Sequence, residues 1–276
     1  MNEHDFKIDD NIIYSIIQKQ AGTLQKAFLE LIMNSIDAEA SKVEITFDGY
    51  NFEVLDDGKG FESEETIHKF FGTFGTPHNE GDSTYGLFRM GRGQIMAFSK
   101  NSWHSNVYSM YVDVKNNGTK YNLKSNCERL DGCKISGTLY DELEPFEVKG
   151  FEKELKEFIK FSQIPVYLNG EMISSKIEDI KWDIVNDDAY IKLDNKRNLA
   201  VYNLGVKVRE YSSWDIGYGG IIVSKKPLEV NFARNDILKK SCSVWKSVQS
   251  EIKILLGKKS SESSKKIDSK IKDILC

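Results

Sequence analysis

Glu30, Asn34 and Asp37 fall on one face of a helix with 3.6 residues per turn, within the stretch Glu30-Leu31-Ile32-Met33-Asn34-Ser35-Ile36-Asp37-Ala38. A carboxylate and an amide one turn apart on a half-buried helix are costly unless something needs them. A water molecule beside a metal-bound phosphate needs both: the carboxylate to orient and deprotonate the water, the neutral amide oxygen to ligate the metal. Next to this polar line, Leu24, Ala27, Phe28, Leu31, Ser35 and Ala38 form a stripe of small and apolar side chains suited to packing on a sheet. Further along, Val54-Leu55-Asp56-Asp57-Gly58-Lys59-Gly60 is an alternating strand running into a turn whose glycines permit positive φ or a close backbone approach. Taken singly, the first string is a solvated helix face and the second an ordinary hairpin turn.

Taken together and in this order, Glu-x-x-x-Asn-x-x-Asp-Ala followed by Asp-x-Gly-x-Gly resembles the GHKL superfamily of Bergerat-fold ATPases, which includes gyrase, heat-shock-ninety chaperones, MutL, MORC proteins and sensor histidine kinases. The resemblance implies an α+β chain: a Bergerat α/β sandwich, with helices on one face of a mixed sheet, followed by an S5-like α+β transducer domain. ATP and Mg²⁺ are the implied ligands. Glu30 then takes the catalytic position, Asn34 the metal, and Asp37 a place in the nucleotide site. Asp56 receives the adenine amino group. The physics supports that choice, because guanine would turn an oxygen acceptor on a buried carboxylate. Gly58 and Gly60 let the backbone pass close to the base. Gly137-Thr138 resembles the family's later Gly-Thr pair, whose Thr hydroxyl shares a water with the adenine-binding Asp, and this assigns Thr138 to the site.

Six glycines between Gly72 and Gly93 predict a mobile lid. It ends in Met90-Gly91-Arg92-Gly93-Gln94-Ile95-Met96-Ala97-Phe98, a glycine turn feeding an apolar helix, where the N–H groups near Gly91 and Gly93 meet an anion. The stretch resembles the family's G-x-x-G-x-G phosphate loop with a departure, since Phe88 stands at the first Gly and Gly86 is displaced by two. Arg89 and Arg92 are additional phosphate candidates. A Walker P-loop is set aside, because Arg92-Gly93 stand where Lys and Ser/Thr are required. Near the end, Leu228-Glu229-Val230-Asn231-Phe232-Ala233-Arg234 resembles the Leu-x-x-Asn-x-x-Arg string of heat-shock-ninety middle domains. That likeness gives Arg234 the γ-phosphate, with Asn231 beside it. Gyrase and MutL use a lysine instead, so Lys225 or Lys226 is the alternative.

The elements that must position these groups follow from periodicity. Ile12, Ile13, Ile16 and Ile17 predict a helix over 11–20, and Gly22-Thr23 a break and cap before the Glu30 helix. Residues 42–47 alternate strictly and turn at Asp48-Gly49 into the strand that delivers Asp56. Tyr108, Met110, Val112 and Val114 share a strand face, residues 134–139 make a short extended piece, and Phe151, Leu155, Phe158 and Ile159 mark a helix. After Ile164-Pro165 come an Asn-Gly hairpin at 166–173, strands at 190–193, 199–208 and 220–223, and a helix through Val244, Val248, Ile252 and Leu255. The expected organisation is therefore an ATP-binding domain over 1–163, a transducer-like domain over 164–256 and a Lys/Ser-rich tail or linker over 257–276.

At 276 residues, two medium domains are expected, and 40% hydrophobic residues are enough for their cores. A net charge of -4 argues against a strong nucleic-acid surface but leaves a local basic patch open. No apolar run approaches the roughly 20 residues of a membrane span, and the first residues do not resemble a signal peptide, so no membrane partner and a cytoplasmic location are expected. Four cysteines without C-x-x-C spacing predict reduced thiols rather than zinc. The expected activity is slow, Mg²⁺-dependent ATP hydrolysis coupled to lid closure and nucleotide-dependent homodimerisation. A non-hydrolysing ATP-gated binding module, or a chaperone-like scaffold with a protein client, stays open as the alternative.

Overall fold

The computed structural model describes residues 11–72, 91–194, 198–231 and 234–257. The chain divides into two compact units, Met1–Ile180 with Gly205–Lys207, and Lys181–Leu204 with Val208–Cys276.

In the first unit, helix α1 (Asn11–Ala21) stops at Gly22, whose φ of 68° no continuing helix adopts. The Thr23 hydroxyl accepts from the Lys26 N–H and starts α2 (Leu24–Asp37). Of the predicted stripe, Leu24, Ala27, Phe28, Leu31 and Ser35 are buried and Ala38, the C-cap, is half-buried; Leu29, Ile32 and Met33 are buried too, because α1, α4 (Gly91–Phe98) and α6 (Pro145–Phe158) also contact α2. Strands β1 (Val43–Phe47) and β2 (Asn51–Asp56) form the expected hairpin. Asp48 Oδ1 accepts from the N–H groups of Tyr50 (2.8 Å) and Asn51 (2.6 Å) and closes its turn. Phe28 of α2 stacks edge-on against Phe52 of β2 and Phe151 of α6, at ring separations of 5.2 and 4.9 Å, which fixes two helices on one face of the sheet.

The remaining elements of this unit are α3 (Glu64–Phe70), β3 (Ser99–Asn106), β4 (Tyr108–Val112), α5 (Val114–Asn117), β5 (Tyr121–Lys124), β6 (Leu130–Leu139), β7 (Val166–Leu168) and β8 (Glu171–Met172). The sheet runs β5-β4-β3-β6-β2-β1-β7-β8, and the parallel β1–β7 pair makes it mixed. Three features differ from the periodicity reading. β6 is ten residues long, starting four before the extended piece predicted at 134, because Gly132 bends without ending it. β3 carries no apolar alternation; its buried row is Ser99, Asn101, Trp103 and Ser105. Val114 opens α5 instead of extending β4, since Asp113 accepts from the Asn116 N–H and caps a helical turn there.

The expected boundary at 163/164 differs from the division after Ile180. The Asn169-Gly170 hairpin has the predicted positive φ at both turn residues, but β7 pairs with β1 and so extends the first sheet. Asn169 secures it, accepting from the Phe47 N–H (2.9 Å) and donating to the Phe47 carbonyl (3.0 Å).

The second unit holds β9 (Ile184–Val185), β10 (Ala189–Asp194), β11 (Leu199–Asn203), β12 (Val206–Tyr211) from Val208 on, α7 (Ser213–Ile216), β13 (Gly219–Ser224) and a helical run over 243–257, and the sheet is ordered β12-β11-β13-β10-β9. The predicted strand at 199–208 is two strands, split by a turn with positive φ at Leu204 and Gly205. Ile191, Val201 and Ile222 pack with Trp245, Val248 and Ile252 in one core. Both units are thus α+β. Among the described residues no helix is long and apolar enough to cross a membrane.

Candidate functional site

The sheet brings three side chains into one row. Asp56, last in β2, registers with Cys133 on β6, and Cys133 with Ser105 on β3. Directly opposed residues in antiparallel strands share a face, so the row lies on the side covered by α2. Asp56 is buried. Its Oδ1 accepts from the Gly58 N–H at 2.9 Å and its Oδ2 from the Ser35 hydroxyl at 2.8 Å. Burial pushes its carboxyl above the usual range; Ser35, Gly58 and the Cys133 N–H oppose that shift, while neighbouring Asp57 adds to it. Burial also pushes the Cys133 thiol up, with the Asp56 charge adding to the effect, so it stays a neutral S–H.

The turn after β2 is clamped from both sides. Lys59 donates its N–H to the carbonyl of Ala38, the C-cap of α2, at 2.9 Å. Asp57 accepts from the Ser41 N–H, the Ser41 hydroxyl and the Lys42 N–H, and the Ser41 hydroxyl holds its carboxyl below the usual range. A Cβ on Gly58 would lie 2.8 Å from the Ala38 carbonyl oxygen. On the other side, the Ser105 hydroxyl donates to the Gly132 carbonyl (2.6 Å) and accepts from the Phe61 N–H (2.8 Å). Gly60 has φ 64°, and a Cβ there would lie 2.1 Å from Ser105 Oγ. Both glycines of the Asp-x-Gly-x-Gly string are therefore required by backbone approach, as the sequence predicts, though the approach is to protein atoms.

α2 carries Glu30, Asn34 and Asp37 as predicted, in different environments: Glu30 is 9% exposed, Asp37 half-buried and Asn34 solvent-exposed. An exposed neutral amide fits an ion that draws the rest of its shell from water and phosphate rather than a protein cage. Among the described residues no cluster of three or more His, Cys, Asp or Glu could hold a metal. Gly91 opens α4 and Gly93 is buried within its first turn. The neighbouring Gln94 Oε1 is buried and accepts no hydrogen bond from the described residues. The lid expected between Gly72 and Gly93, with Arg89, falls almost wholly outside the described residues, as do the side chain of Arg92 and the tail from 258.

Thr138 does not join this site. It registers with Asn51 at the opposite end of β2, five residues beyond Cys133, about 16 Å along the strand at the usual rise. Five is an odd step in a two-residue alternation, so Thr138 also faces away from α2. Its hydroxyl donates to Asn51 Oδ1 at 3.2 Å. The position beside Asp56 belongs to Gly132-Cys133, a Gly-plus-small pair passed over because its second residue is Cys. Counting the antiparallel register back from the β2 end would have found it. Ser35 and Ser105 are the other contributors that motif spacing did not mark.

In the second unit, side chains tie Asn231 to residues 235 and 236. Asn231 Oδ1 accepts from the N–H groups of Asn235 (3.0 Å) and Asp236 (3.2 Å), and its amide donates to Asn235 Oδ1 (2.8 Å). Asp236 accepts from the Arg209 guanidinium and from the Tyr211 hydroxyl. Arg234 sits in the left-handed region at φ 51°, a cost the surrounding bonds must offset. Of the two alternatives, Lys226 pairs with Asp188 at 2.6 Å, where Ser247 takes the other oxygen, and Lys225 lies 4.3 Å above the Tyr190 ring.

Residues 22–148 match the family model described as Histidine kinase-, DNA gyrase B-, and HSP90-like ATPase. No curated protein matches the sequence. Among solved structures, the ATPase region of Saccharomyces cerevisiae topoisomerase II is similar at 13% identity and a TM-score of 0.55, covering 78% of this chain and 76% of that one. At such identity the likeness is one of fold.

Proposed function

We propose that this chain, whose residues 22–148 match the Histidine kinase-, DNA gyrase B-, and HSP90-like ATPase family model, is a GHKL-type ATPase that binds ATP between α2 and the turn after β2 and hydrolyses it slowly to ADP and phosphate. The observation that carries the reading is Asp56: a buried carboxylate at a strand end, clamped by glycines and fastened by Ser35 to the helix bearing Glu30 and Asn34. A buried carboxylate offers acceptors to a donor edge, so it takes the adenine amino group and disfavours guanine, whose oxygen would leave two acceptors opposed. Glu30 orients the attacking water and takes its proton. Asn34 offers its amide oxygen to Mg²⁺, and bound magnesium supplies charge neutralisation at the phosphates. Asp37, Gly91 and Gly93 complete the nucleotide surroundings from the ends of α2 and α4. The resemblance offers Arg234, with Lys225 or Lys226 as the alternative, for the terminal phosphate. Thr138 is not part of this reading. Lid closure and nucleotide-dependent homodimerisation belong to the proposed cycle on the strength of the resemblance.

The test is phosphate release beside ATP affinity. Glu30→Ala should keep ATP binding within a few-fold and reduce release to background. A wild-type protein that binds ATP but releases no phosphate would replace hydrolysis with the ATP-gated binding reading.

A further inference from the structure

Ser35 is 2% exposed, sits one residue after Asn34 on α2, and spans from the helix to the strand end: its hydroxyl lies 2.8 Å from Asp56 Oδ2 and 3.2 Å from the Leu31 carbonyl. A hydroxyl has one proton, and the shorter, charge-assisted bond takes it. The terminal torsion of an aspartate is broad, so a carboxylate held at one oxygen still pivots. Here the Gly58 N–H holds Oδ1 and Ser35 holds Oδ2, donors from two different elements, and the carboxylate plane is fixed. A carboxylate has about four acceptor positions. Ser35, Gly58 and the Cys133 N–H act on this carboxylate, which leaves acceptor capacity for one ligand donor.

We propose that Ser35 is a positioning residue for base recognition: it holds the Asp56 carboxylate in the plane and charge state in which it meets a 6-amino purine. The proposal rests on the reading that Asp56 receives the base amino group. The groups facing Asp56 are Ser35 from α2, the neutral Cys133 thiol and N–H from β6, and Asp57 and the Gly58 N–H from its own turn. Of these, only Ser35 is a side-chain donor on the helix carrying the proposed catalytic residues. Removing its hydroxyl frees the carboxylate to turn and to hold a proton at higher pH, and the protonated form donates to a 6-oxo base instead of accepting from an amine.

The experiment titrates ATP and inosine triphosphate, with Mg²⁺, into the full chain as wild type, Ser35→Ala and Asp56→Asn across a pH series. Ser35→Ala should weaken ATP about tenfold and leave inosine triphosphate unchanged or tighter. Its ATP affinity should also fall off at higher pH than that of wild type, because the group must be ionised and its pKa has risen. The proposal is overturned if Ser35→Ala matches wild type in affinity and pH profile, or if both nucleotides weaken by one factor, which is what a purely structural role gives. Asp56→Asn separates the two levels: lost ATP binding there with an unaffected Ser35→Ala removes only this proposal, whereas unaffected binding in Asp56→Asn, or none in wild type, removes the base reading as well. Should Ser35→Ala not fold, Ser35→Cys keeps the volume with a poor donor and is read by the same measurements.

Discussion

Gly60→Ala should disable the site by moving the Asp56 turn off its neighbours. The new Cβ would lie 2.1 Å from Ser105 Oγ and 2.6 Å from the Gly132 carbonyl oxygen, and the second of these is backbone that no rotamer relieves. An alanine at φ 64° costs about 1 kcal/mol in backbone conformation alone. Overpacking of this kind adds roughly 1–3 kcal/mol. Forcing Ser105 away endangers its bonds to the Gly132 carbonyl and the Phe61 N–H, each worth about 1 kcal/mol. The sum, about 4–6 kcal/mol if both bonds are lost, is a large part of a typical stability of roughly 5–15 kcal/mol, and lowers the melting of the first unit by about 10–20 °C. Calorimetric melting and ATP titration read both consequences. Ser105→Gly added to Gly60→Ala removes the hydroxyl collision but also the hydroxyl's two bonds, and leaves the Gly132 carbonyl in the way, so it should restore little of the loss. Gly150→Ala, in α6 with open space around it, should be neutral or slightly stabilising. A Gly60→Ala protein that melts with wild type and binds ATP equally well would refute the clamp.

Thr138→Val should leave ATP affinity within about twofold, since its hydroxyl meets Asn51 on the far face and a single hydrogen bond there is worth about 1 kcal/mol at most; a tenfold loss in titration would contradict the register. Asp56→Asn should raise the melting temperature of the ligand-free protein by about 2–4 °C at neutral pH while losing ATP. The sign follows from the raised carboxyl: a group that binds its proton more tightly when folded favours folding below its unfolded pKa of about 4 and loses that contribution as pH rises through the folded value. Asn mimics the protonated state, so the melting difference should vanish in acid and grow toward neutrality. Equal melting throughout would mean the carboxylate is not penalised by burial.

The α2 motif and the β1–β2 hairpin were legible because one residue period governs each: Phe28 and Leu31 repeat every turn, and Val43, Ile45 and Phe47 every second residue. β3 was not, since its core-facing row is Ser99, Asn101, Trp103 and Ser105, whose polar atoms are satisfied only after folding; Trp103 donates to Asn101 at 2.7 Å, and Asn101 to Ser99. Hydrophobic patterning is blind to such a strand. The same cause hid Ser105, the peg of the Asp56 turn. Ser35 read as a small packing residue, and its partner stands 21 positions away, a separation that no local pattern encodes. Thr138 was misplaced because a Gly-Thr pair carries no register; pairing of Asp56 with Cys133 supplies it. Asn169-Gly170 announced its hairpin correctly but not its sheet, because a turn signal says nothing of the strand that β7 joins.

The most direct measurement of the central claim is a structure of the full chain with Mg²⁺ and a non-hydrolysable ATP analogue. It should place the purine against the Asp56–Cys133–Ser105 row, its 6-amino group within hydrogen-bond distance of the Asp56 carboxylate and its phosphates on the side of Asn34 and Glu30. A nucleotide bound elsewhere, or none in that crevice at saturating analogue, would contradict the account.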